Sequence, residues 1–214
     1  MSDNRALQTH SPDGIQEVDV RATPRGQRHR QIFDAYHQLP TGQSMILIND
    51  HEPHQLRDEF DRDFAGSFGW ESEQGEGVSR VRITKRAGTP LPRIVADTCA
   101  LTSAEGPEAV GSIWHLEPAH RDLDSNVIAL PPGGEIGRHD GPDLDVLILI
   151  LSGSGTLETE LDTLSLRRGQ LIWLPRAARR SFAAGDQGIR YLTVHHRKPT
   201  LNITAAGTTR SDRS

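Results

Sequence analysis

Cysteine is almost missing from this chain of 214 residues, which has one, Cys99. A lone thiol excludes an internal disulfide and any CxxC site, and that scarcity suits a reducing cytosol. Excess charge of one sign is also small. With 24 Lys and Arg against 29 Asp and Glu, the formal net charge is -5, too mild to single out nucleic acid or an anionic membrane as a partner. No window approaches the roughly 18 apolar residues of a membrane-crossing helix, and the stretch from Met1 to Gly14 lacks the apolar core of a secretion signal. The expectation is a soluble cytoplasmic protein. No P-loop, no GxGxxG after a strand, no GxSxG and no HExxH occurs, so nucleotide hydrolysis, dinucleotide redox chemistry and serine hydrolysis lack support. No internal repeat is visible.

What is present divides in two, and the length suffices for two small domains that each bury a core. Residues 1–14 are polar and expected to be disordered. From Ile15 to Arg21 a short strand is expected. Thr23-Pro24 then offers an N-cap and a proline at the first helical position. Ile32, Phe33, Tyr36 and Leu39 recur at helical spacing until Pro40-Thr41-Gly42, and Ser44 to Asn49 is an apolar strand. After it Asp50 is placed to cap a second helix, whose Leu56, Phe60 and Phe64 lie four apart. Two strands, Ser67 to Glu73 and Val78 to Arg86, close the unit. Strand, helix, strand, helix, strand, strand describes a two-layer α/β sandwich over residues 15–86. Residues 87–111 read as a linker with a short helix near Ile94 to Leu101, and residues 200–214 as a polar tail.

Residues 112–199 read as many short strands joined by Gly-rich turns, the pattern of a β-sandwich or jelly roll. Val146 to Leu151 is an unbroken branched apolar run before a Ser152-Gly153 turn, and predicts a strand buried on both faces. Thr156 to Glu160 and Thr163 to Leu166 form a hairpin around Leu161-Asp162. Gly169 to Pro175 is a further short strand, and Tyr191 to Val194 the last apolar segment. Adjacent strand residues face opposite ways, so at most one of Arg179 and Arg180 points inward.

Two resemblances follow from these residues. Gly133 with His139 and Gly169 with Pro175 match the openings of the two cupin motifs, and the second half of the chain resembles the cupin family. That resemblance implies an RmlC-like jelly-roll barrel, a tendency to form homodimers through it, and, where the motif is complete, a divalent iron, zinc or manganese ion serving oxygenase or isomerase chemistry. Here Gly141 stands where the second His belongs, Asp145 where the Glu belongs and Arg180 where the last His belongs. A guanidinium has no lone pair to give a metal, but it holds carboxylate or phosphate bidentately. In the first half, VDVRATPRGQRH and NDHEPHQL resemble the TusA/SirA-like domain of unknown function. Sulfur-relay relatives begin the first helix with Cys-Pro; Thr23-Pro24 stands there instead, and threonine cannot carry a persulfide.

The residues that carry the expected function are His139, Asp145, Arg180 and His51 as ligand contacts. The cupin resemblance adds His139, Asp145 and His195 (or His196 beside it) as a metal set. His51 is grouped with Glu52, His54 and His29 just before a helix N-terminus, where α/β folds often bind ligands. The expected function is binding or sensing of a small molecule or anion by a cupin barrel with a degenerate metal site. The alternatives are a metal-dependent cupin enzyme and a dimerising structural adaptor.

Overall fold

The structure, a computed structural model, describes residues 9–10, 14–75, 77–103 and 110–197. Both polar tails lie, for the most part, outside these residues. The chain divides into two compact units, Met1–Val95 with Glu117–His120 and Ala96–Leu116 with Arg121–Ser214. Among the described residues, no helix is long and apolar enough to cross a membrane.

The first unit runs β1 (Thr9–His10), β2 (Gln16–Asp19), α1 (Arg25–Gln38), β3 (Ser44–Asn49), α2 (His54–Phe64), β4 (Phe68–Gly75) and β5 (Val78–Lys85). Its sheet has the order β1-β2-β3-β5-β4. β2 and β3 are parallel, as a strand-helix-strand crossover requires, and the other pairings are antiparallel. β3 is central: Met45 and Leu47 are fully buried on the face that meets the helices, and Ile46 and Ile48 are buried on the other. Ile32 and Tyr36 of α1 share one core with Leu56, Phe60 and Phe64 of α2, the apolar positions that the helical spacing singles out. Phe60 holds that core together, stacked on Phe33 at 5.0 Å and edge-on to Tyr36 at 4.9 Å.

The helix starts depart from expectation. α1 begins at Arg25 with Pro24 in the cap position and no side-chain cap bond; the Thr23 hydroxyl donates instead to Gln31 Oε1 at 2.8 Å. α2 begins at His54 behind Pro53, again without a side-chain cap, because Asp50 is drawn to Arg28 and His51. Asp63, buried at the end of α2, receives the Ala119 N–H at 2.7 Å and the Arg62 guanidinium at 2.9 Å. This ties residues 117–120 to the first unit.

The second unit contains α3 (Thr98–Ser103), β6 (Gly111–His115), β7 (Leu123–Leu130), β8 (Glu135–His139), β9 (Val146–Glu158), β10 (Thr163–Arg167), β11 (Leu171–Leu174) and β12 (Arg180–His196). α3 lies within the stretch read as linker, and its last carbonyls, Leu101 and Thr102, accept from Arg190 Nη1 of β12 at 3.2 and 2.7 Å. All strand pairings are antiparallel, in the order β10-β9-β12-β7-β6, with β11 added to β9 and β8 added to β12. Leu130, Ile148, Ile150, Leu157, Leu166, Leu174, Phe182, Ile189 and Tyr191 from five of these strands form one core.

Two strand expectations are corrected. Val146 to Leu151 is buried on one face only: Val146, Ile148 and Ile150 point into the core, whereas Leu147 is 43% exposed. Nor does Ser152-Gly153 end the strand. β9 continues to Glu158 and β12 runs antiparallel to it, the ladder shifting register between Ala184 and Ile189. The two strands approach closely at that irregularity: a Cβ on Gly153 would run into the Gly188 carbonyl oxygen, and both glycines have positive φ (74° and 70°). The Gly-rich segment that resembles a turn in one dimension is, in three, a continuing strand beside an irregularity of its partner β12.

Candidate functional site: a buried guanidinium and a histidine-rimmed cleft

Within the second unit β12 enters the core through Arg180, Phe182 and, beyond the bulge, Tyr191. Arg180 is 6% exposed. Its side chain makes no hydrogen bond or ion pair among the described residues, and its Nη1 is a buried polar atom without a partner. Its neighbour Arg179 points outward and donates from Nε to Asp140 at 2.9 Å, so strand alternation sends one arginine to solvent and one inside. The guanidinium fits there because position 141 is glycine: a Cβ would stand 3.0 Å from both Cζ and Nη1 of Arg180. Burial pushes the arginine below its ordinary pKa, with Tyr191 acting the other way. Burial likewise pushes the Tyr191 phenol up to about 12, Arg180 opposing it. Tyr191 stacks on Phe182 with ring centroids 5.5 Å apart, and its hydroxyl has no hydrogen-bond partner among the described residues.

The other residues expected around Arg180 lie elsewhere. His139 is opposite Arg180 in the β8–β12 ladder, but its ring is exposed and its Nδ1–H donates to the Gly137 carbonyl at 2.9 Å. Asp145 is also exposed, and its Oδ1 accepts the Arg176 N–H at 2.9 Å. His195 donates from Nδ1 to the His196 carbonyl at 3.0 Å. The metal set His139, Asp145 and His195 is therefore not assembled; among the described residues, no three His, Cys, Asp or Glu side chains are grouped to hold a metal ion. The donor set does not fit a transition metal, which takes three or four such ligands. The physical reason is that each group is committed to a backbone partner: the two histidines to carbonyls within two residues, Asp145 to the N–H of Arg176 across the loop.

The first unit carries a cleft of about 760 Å³, with Val20, Ile32 and Leu56 at its base and His29, His51, His54 and Arg25 among the residues lining it. Arg28 organises one wall. Its Nε donates to the Thr23 carbonyl at 2.9 Å, Nη2 to the Arg21 carbonyl at 3.1 Å, and Nη1 to Asn49 Oδ1 at 3.1 Å and Asp50 Oδ1 at 2.9 Å. The Arg28 hydrogen bond, followed by that from His51, holds the Asp50 carboxyl down at about 2. His51 Nδ1 and Asp50 Oδ1 are 2.5 Å apart, and His29 Nδ1 faces Glu59 at 3.1 Å. Each ring gives its Nδ1–H to a carboxylate, which turns Nε2 away from that partner. The structure thus brings His29, His51 and His54 to one cleft, as their grouping in the sequence suggests.

Sequence reasoning missed Tyr191 and Arg28. Tyr191 carried a faint signal, a hydroxyl at the head of an otherwise apolar segment. Arg28 carried none, since its partners at positions 49 and 50 are distant in the chain and its place on α1 reads as helix surface.

Residues 17–85 match a family described as an uncharacterized conserved protein family, DUF2249. Comparison with curated proteins found no match. Among solved structures, a cupin superfamily protein from Desulfitobacterium hafniense is 16% identical, with a TM-score of 0.41, over 50% of this chain and 95% of its own. A cupin-2 domain protein from Shewanella frigidimarina is 12% identical, with a TM-score of 0.38, over 48% of this chain and 95% of its own. A conserved protein of unknown function from Streptococcus pyogenes is 27% identical, with a TM-score of 0.34, over 41% of this chain and 75% of its own.

Proposed function

We propose that this protein is a binding module for a small anionic ligand, taken up in the β-structured second unit by Arg180, in a cupin-like vessel that has given up its metal. The single observation behind this reading is the guanidinium itself: 6% exposed, with a buried Nη1 that meets no acceptor. Leaving an ionised group buried and unpaired costs several kcal/mol, roughly, and an anion that supplies paired acceptor oxygens removes that cost. His139, opposite Arg180 in the β8–β12 ladder, acts in this reading on a ligand's approach instead of ligating a metal, and Asp145 precedes β9 with no direct role at the guanidinium. The cleft that His51 lines in the first unit is a second place for small-molecule contact. With Thr23 in place of a relay cysteine, that unit's TusA-like features support binding and not sulfur transfer.

The test is a thermal-denaturation screen of the dialysed protein against acetate, phosphate, sulfate and chloride at constant ionic strength, with Arg180→Gln alongside. The expected result is a dose-dependent rise in Tm for at least one oxyanion, absent in R180Q and absent with chloride. Equal responses of the two proteins, or about one equivalent of tightly bound transition metal that His139→Ala removes, would overturn the reading.

A further inference from the structure

The ligand class can be narrowed from the charge and chemistry around Arg180; the step rests on the binding role given to that residue above. Among the described residues of the second unit, Arg180 is the sole buried ionisable group that carries charge at neutral pH; the other buried polar residue there is Ser125, whose hydroxyl already donates to the Thr193 carbonyl at 2.8 Å. The side chain two residues along β12 on the same face is Phe182, opposite Ile136 in the β8 ladder. Tyr191 lies flat against Phe182. Phe182 thus puts apolar surface beside Arg180 along β12, and Tyr191, stacked on that ring, brings one neutral hydroxyl to the same neighbourhood.

One buried positive charge is balanced by one negative charge. A phosphate dianion would leave an excess charge where the described residues hold no second buried cation, and a phosphate monoanion would bring two hydroxyls that themselves need partners, whereas a carboxylate closes the balance and matches the planar fork of the guanidinium. Phenolic Tyr191 remains protonated at neutral pH and has a proton to donate. The aromatic and aliphatic neighbours favour a ligand with an apolar body over a bare ion.

We propose that the second unit binds a small monocarboxylate with an apolar body, its carboxylate held by the Arg180 guanidinium and the Tyr191 hydroxyl and its body against Phe182.

The probes are benzoate, butyrate, acetate, inorganic phosphate and the neutral isostere benzamide, titrated calorimetrically into the full-length protein at pH 7 and constant ionic strength. Benzoate or butyrate is expected to bind at least about tenfold more tightly than acetate, with phosphate and benzamide weaker still. Tyr191→Phe, which keeps the ring stacked on Phe182, is expected to weaken benzoate binding roughly 3- to 10-fold, as loss of one neutral hydrogen bond does. Arg180→Gln should abolish it. If phosphate binds more tightly than every carboxylate and still needs Arg180, the monocarboxylate assignment is overturned while the anion-binding reading survives. If Y191F binds benzoate as wild type does, Tyr191 is removed from the site. If benzamide binds as benzoate does, or R180Q binds unchanged, both readings fall together.

Discussion

At Arg180 stability and ligand binding pull in opposite directions. A guanidinium without an acceptor destabilises the empty protein, so an uncharged side chain of similar length should improve it. Arg180→Met is expected to raise the stability of the ligand-free second unit by about 1–3 kcal/mol, measured by urea denaturation, and to remove the response to anions. Lower stability of R180M would mean that the guanidinium is already satisfied. Asp50 offers a second residue-level test. Its folded pKa of about 2 is below the roughly 3.9 of an unfolded aspartate. Its contribution is therefore fully present above pH ~4 and disappears as pH falls through the folded value. Wild type and Asp50→Asn should differ in Tm at neutral pH and converge near pH 2; a gap that is constant down to pH 2 would show that the Arg28 bond does not set the carboxyl's affinity for protons.

Among the elements, the crossing of β9 and β12 is the point of least tolerance. Gly153→Ala meets the Gly188 carbonyl oxygen and a backbone φ of 74°, and should cost at least about 2 kcal/mol. Gly133→Ala has a φ of 68° but nothing within 4 Å, so only the left-handed backbone penalty, about 1 kcal/mol, applies. Thermal melts of the two variants measure the difference directly, and equal losses would mean that the close approach is relaxed in solution. The same crossing marks where the sequence stops being readable. Helices α1 and α2 were legible because Ile32, Tyr36, Leu56, Phe60 and Phe64 repeat at the helical period, and one face of each must be buried. β9 was not, because a glycine at a bulge and a glycine at a turn look alike until the partner strand is known. Likewise Leu147 reads as a core residue from its neighbours, yet only alternate positions face inward. Of the candidate site, the inward turn of one arginine at 179–180 was legible from strand alternation. The histidine and aspartate rotations were not, since they depend on the backbone acceptors and donors of Gly137 and Arg176.

For the molecule as a whole, two separate cores predict two cooperative transitions. Phe60→Ala, which empties a fully buried ring position of the first unit, should cost that unit about 3–5 kcal/mol. Calorimetry should then show one transition lowered and the other at its wild-type temperature, with the residual transition still shifted upward by any ligand of Arg180. A single transition that moves as a whole would falsify independent folding. Within the first unit, two of the four acceptors gathered by Arg28 come from the segment before α1 and two from the end of β3 and the residue that follows it, ahead of α2. The lips of the cleft are consequently fastened to a common pin, and anything that grips one of them is felt at once by the other. A lysine at position 28, with a compact ammonium in place of a planar fork, would leave them to breathe separately.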